Sequence, residues 1–175
     1  MLGKEDAIII GCVILLFIEI IMIIKKIPIK RNFMIIIFSM YIVMLISIVF
    51  FPIPYQLKGY DCGYNFIPFL SIREYFIDGG AYSNISLLGN IALLIPWGCL
   101  LGFVIKNVKR RTFWLLTVFV SVGIEIIQHL INTIIGYRYR CVDIDDFILN
   151  MLGATIGYFL YLLIYKKIDK IIFDE

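Results

Sequence analysis

Glu125, Gln128, His129 and Asn132 stand at offsets of three, four and seven residues from the glutamate. In a helix such offsets share one face. Asp143, Asp146 and Asn150 fall at i, i+3 and i+7 and make a second face, with Asp145 pointing elsewhere. Asn90 brings an amide from a third segment. A carboxylate and an imidazole on one helix face are equipment for general acid–base chemistry. Glu125, His129 and Asp146 are therefore the catalytic candidates. Asn90, Gln128, Arg140, Asp143 and Asn150 are the candidate binding groups. The acids also allow a divalent cation, although no motif fixes its ligands. No GxSxG, HExxH or convincing nucleophile is present.

These polar residues stand in a chain that otherwise avoids charge. Hydrophobic residues make up 62% of it and charged residues 17%, and its mean hydropathy is +0.97. A soluble domain of this size could not cover so much apolar surface. The bilayer must be its solvent, and each crossing takes about 20 apolar residues. The spacing predicts an all-α bundle of about five transmembrane helices in a single domain, near Ala7–Ile24, Phe33–Phe51, Ile85–Ile105, Thr112–Ile135 and Phe147–Tyr165. The apolar runs are continuous and too long for barrel strands. The first is not a cleaved signal peptide, because acidic residues precede it and basic residues follow it.

Lys25, Lys26, Lys30, Arg31, Lys106, Lys109, Arg110, Arg111, Lys166, Lys167 and Lys170 gather on one side of these spans. Lys4, Lys58, Arg73, Arg138 and Arg140 fall on the other. Positive charge stays in the cytoplasm, so the N-terminus is expected outside and the C-terminus inside. The net charge of +3 thus reports topology and not nucleic-acid binding. Cys62 and Cys141 fall in outside loops, where a disulfide is permitted. Cys12 and Cys99 read as packing residues, and no cysteine–histidine metal spacing occurs.

Ionisable groups inside spans are costly, at least about 2.5 kcal/mol near mid-helix. Glu19 could reach the Lys25–Lys26 pair. Glu125 lies about 15 Å from the outer end of its helix and cannot easily reach water. Its polar stripe must face protein or a wet cavity. Gly98 and Gly102 form one GxxxG pair, and Gly153 and Gly157 another, which lets helices approach closely. Pro96 should kink its helix or free a carbonyl. Asn90, Glu125, Gln128, His129, Asp146 and Asn150 all fall in the outer half of the membrane, with Arg140 and Asp143 at the lip. They predict a polar pocket opening outward, its charge offset by Arg138 or Arg140. The long loop before the third span contains "YNFIPFLSIREYFIDGG". It predicts a short interfacial or re-entrant helix from about Pro68 to Ile77, ending at Gly79-Gly80, with Phe69, Ile72, Tyr75 and Phe76 toward the bilayer.

"NFIPF" at 65–69, "NIALLIPWG" at 90–98, "EIIQ" at 125–128 and "RCVDIDDFILNMLGATIGY" at 140–158 follow in order. With these motifs the chain resembles the VanZ-like family of small membrane proteins over about Asn65 to Tyr158. "GYRYR" at 136–140 departs from the family's plain Gly-Arg, and Arg140 is the favoured match. The resemblance adds Asn65 to the binding candidates. It implies lowered susceptibility to teicoplanin and related lipoglycopeptides through reduced antibiotic binding at the surface of a Gram-positive cell. The partner implied is a membrane lipid, a lipid-linked cell-wall precursor or the antibiotic itself. An intramembrane enzyme acting on an envelope amphiphile, a small lipid transporter and an assembly subunit are the alternatives.

Overall fold

The computed structural model describes residues 3–26, 29–53, 63–78, 84–105 and 108–173. Cys62 and the Gly79-Gly80 pair lie outside the described residues. The chain is an all-α bundle with six helices among the described residues: α1 (Lys4–Ile24), α2 (Ile29–Phe50), α3 (Leu70–Asp78), α4 (Asn84–Val104), α5 (Arg110–Ile135) and α6 (Ile144–Phe173). Two short strands, β1 (Tyr64–Asn65) and β2 (Val142–Asp143), pair in parallel with Asn65 opposite Asp143.

Stretches of four helices are long and apolar enough to cross a membrane: Arg31–Phe50, Ser86–Val104, Arg110–Ile135 and Ile144–Ile164. The apolar stretch of α1, Ile8–Met22, is shorter. At nine residues, α3 is too short to span. α6 continues past the apolar run to Phe173, because no glycine or proline stops it there.

The tightest pairing joins α4 to α6. A methyl on Gly153 would overlap the Ile91 carbonyl oxygen, and one on Gly157 the Ile95 carbonyl oxygen. One on Gly98 would strike the Ala154 carbonyl, and one on Gly102 the Tyr161 ring. The contacts advance in the same direction along both helices, so α4 and α6 run parallel. Small residues are what permit this approach. Pro96 lies inside α4 and deprives the Ala92 carbonyl of its helical donor. Nearby, the Tyr41 hydroxyl of α2 donates to the Leu93 carbonyl at 2.9 Å.

α2 and α5 run against α4 and α6. α1 lies antiparallel to α2, and this pairing brings Asn32 opposite Glu19, whose Oε1 accepts from Asn32 Nδ2 at 3.2 Å. The glutamate thus meets an amide on the next helix. Tyr41, Leu45, Leu94, Trp97, Leu101, Phe113, Ile124 and Ala154 make the core. Even there a polar pair is satisfied: Trp97 Nε1 donates to Thr117 Oγ1 at 3.1 Å, and Thr117 donates to the Phe113 carbonyl.

Candidate functional site

The site is built where α6 begins. Asp143, the residue before α6, is buried and places its carboxylate over the helix N-terminus, where Oδ1 accepts from the Asp145 amide at 2.8 Å. A carboxylate there satisfies an orphan amide and complements the helix dipole. The same carboxylate accepts from Asn65 Nδ2 at 2.9 Å and from Ser71 Oγ at 2.5 Å. Asn65 Oδ1 turns back to accept the Ile67 amide at 2.9 Å. Asn65 is therefore a tie between β1, α3 and α6.

Asp145 is fully buried and faces α3. Its two oxygens accept the amides of Phe69 at 2.6 Å and Ile72 at 3.1 Å. These are orphan donors of a helix N-terminus, so one side chain of α6 pins the short helix in place. Phe69 takes a left-handed conformation, φ 66, which costs a residue with a Cβ about 1–2 kcal/mol. The held amides offset that cost. Phe69 and Phe76 are exposed, as are Phe66, Ile67 and Ile77, whereas Ile72 and Tyr75 are half-buried.

Arg140 serves a different helix. Its Nη2 donates to the carbonyls of Ile48 at 3.3 Å and Phe51 at 3.4 Å. The Tyr139 hydroxyl donates to the Phe50 carbonyl at 2.9 Å, and Gln128 Nε2 to the Val49 carbonyl at 3.4 Å. Four successive carbonyls at the C-terminus of α2 are thereby capped, with a cation at the negative end of the dipole. Asn132 locks the loop that carries Arg140. It donates to the Arg140 carbonyl at 2.7 Å and accepts the amides of Tyr139 and Arg140. Burial pushes the Tyr139 phenol above its usual range, and the neighbouring Arg140 opposes this. Arg138 instead lies over the Tyr64 ring, 5.2 Å from its centroid.

Between α4, α5 and α6 runs a file of polar side chains. Asn90 Nδ2 donates to Asp146 Oδ1. Glu125 Oε2 accepts the Asp143 amide at 3.4 Å, and the glutamate stands among the carboxylates of Asp146 and Asp143. One turn deeper on their helices lie Asn150 and Ser121, both buried. Asn150 Oδ1, Ser121 Oγ and Gln128 Oε1 have no hydrogen-bond partner among the described residues. Each unpartnered buried group costs about 1–3 kcal/mol.

His129 is not in this file. It lies about 40° around the helix from Glu125, which turns its exposed ring outward to Tyr64, whose hydroxyl sits 3.2 Å from Nδ1. Gln128 diverges the other way, to α2. The expected convergence therefore divides: Asn90, Glu125, Asp146 and Asn150 line the interior, while Asn65, Gln128, His129 and Arg140 make links to neighbouring elements. Among the described residues no three histidine, cysteine or acidic side chains converge to hold a metal ion. Cys141 is disulfide-bonded, while Cys12 and Cys99 are free. Sequence reasoning missed Asp145, Ser71, Ser121, Tyr64 and Tyr139. Only Asp145 left a signal, as a third acid at the start of an apolar run.

Long apolar helices around a file of hydrogen-bonding groups define a multi-pass helical membrane protein with a polar interior. The VanZ/LLP1 family model matches residues 38–165, more than half the chain, taking in α2 along with the later helices. The chain belongs to the VanZ/LLP1 family. No curated protein and no solved structure matches it with significance.

Proposed function

We propose that this VanZ/LLP1 protein holds an envelope amphiphile, a membrane lipid or a lipid-linked cell-wall precursor, against the polar file between α4, α5 and α6. By doing so it lowers binding of teicoplanin-type lipoglycopeptides at the surface of a Gram-positive cell. The N-terminus lies outside, so the Asp143 end of the bundle faces the cell wall. The observation that carries this reading is the pair of buried groups one turn from Glu125 and Asp146 that have no hydrogen-bond partner among the described residues, Ser121 Oγ and Asn150 Oδ1. Hydroxyl or amide donors of a guest would satisfy these groups.

The test expresses wild type, Glu125→Gln and Asp146→Asn at matched membrane levels in a susceptible Gram-positive host and measures binding of fluorescent teicoplanin. Wild type should lower binding, and both variants should restore it. Unchanged binding with wild type refutes the resistance reading.

A second reading, turnover of the amphiphile, has its own observation. Among the described residues Glu125 accepts one long hydrogen bond, near a second acid, a position suited to proton transfer. Copy number separates the two readings. A holding protein protects in proportion to its copies, whereas a few copies of an enzyme suffice.

A further inference from the structure

Phe66, Ile67, Phe69, Phe76 and Ile77, in and just before α3, are 61–75% exposed. Apolar surface gathered in this way marks an interaction site. We propose that the α3 segment docks on the bilayer at the level where α6 begins, with these side chains in the lipid and Arg73 bound to the phosphate of an anionic lipid.

Three observations carry this. The first is place. Asp145 holds the amides of Phe69 and Ile72, and Asp143 holds Asn65 and Ser71. The segment is therefore fixed beside the first residues of Ile144–Ile164, a stretch long and apolar enough to cross a membrane. Its exposed surface continues the lipid-facing surface of the bundle at the depth where aromatic side chains favour the membrane interface. The second is the face. Arg73, Phe76 and Ile77 stand at i, i+3 and i+4 and share one exposed face of α3, whereas Ile72 and Tyr75 are half-buried. The third is charge. Arg73 is exposed, and among the described residues its guanidinium makes no hydrogen bond or ion pair. A cation on an apolar face can lay its stem along that face and lift its head to a phosphate. Glu74 points about 100° away around the helix and does not face Arg73. An apolar face with one unmatched cation complements a leaflet of acyl chains and anionic headgroups. The docking does not depend on what occupies the polar file.

The full chain would carry Phe76→Trp in nanodiscs of mixed phosphatidylcholine and phosphatidylglycerol, and its fluorescence in excess of the chain without that substitution would be read. One lipid at a time would be supplied brominated high on its acyl chains, where it quenches an indole that it touches. Both lipids should quench. Brominated phosphatidylglycerol should do so at roughly one-fifth of the amount needed of brominated phosphatidylcholine, the enrichment that one cation brings near a bilayer surface. Adding Arg73→Gln should abolish the preference, and adding Arg73→Lys should keep most of it. Circular dichroism confirms that each variant keeps its helices. Quenching by neither lipid would overturn the proposal, whether water, a second copy of the chain or another protein covers the face. Equal quenching by the two lipids with Arg73 in place, or a preference that survives Arg73→Gln, would overturn it as well.

Discussion

Asp145→Asn should free α3 while leaving the bundle intact. Both oxygens of Asp145 hold amides of the α3 N-terminus, at 2.6 and 3.1 Å. A hydrogen bond to a charged group contributes about 1.5–3 kcal/mol. Asparagine keeps one acceptor and turns an NH₂ group toward the other amide, so the net loss is about 2–3 kcal/mol. That corresponds to roughly 30- to 150-fold more frequent opening of the segment. Hydrogen exchange read by mass spectrometry provides the assay. Peptides covering residues 63–78 should exchange faster by about that factor, while those covering 84–105 and 110–135 keep their protection. Unchanged exchange in 63–78 would show that Asp145 does not hold α3, and the account of how that helix is pinned would fail with it.

The glycines give a paired test. Gly153→Ala and Gly157→Ala press a methyl into carbonyl oxygens of α4 and should destabilise the bundle by about 1–3 kcal/mol. Gly89→Ala and Gly123→Ala meet nothing within 4 Å and should leave thermal unfolding in detergent unchanged or raised. Equal effects in both pairs would refute the α4–α6 packing. Tyr139 predicts an alkaline limit. Its raised pKa means that the neutral phenol contributes stability fully below the normal value of about 10, and that this is lost as pH rises through the folded pKa. The phenolate cannot donate to the Phe50 carbonyl, so wild type should lose stability above that pH more steeply than Tyr139→Phe. Matching alkaline profiles would dismiss the cap.

The sequence alone determined what a one-dimensional pattern can carry. Continuous apolar runs specified an all-α membrane bundle, because every backbone group in lipid must be satisfied within its own helix. Helical spacing put Glu125 and Asn132 on one stripe, and Asp146 and Asn150 on another. It also marked Gly98, Gly153 and Gly157 as points of close approach. Spacing names a face but not the partner that face will meet. Only the tertiary structure decided that Asp145 seizes the amides of α3, 73 and 76 residues earlier in the chain. The same holds for Arg140, whose partners are carbonyls of α2, 89 and 92 residues away, and for His129, which turns to Tyr64 and leaves the polar file. Each outcome depends on which helices stand side by side and on a rotation of a few tens of degrees. Those are settled by packing across the whole bundle, where backbone ends far apart in sequence must find donors and acceptors away from water.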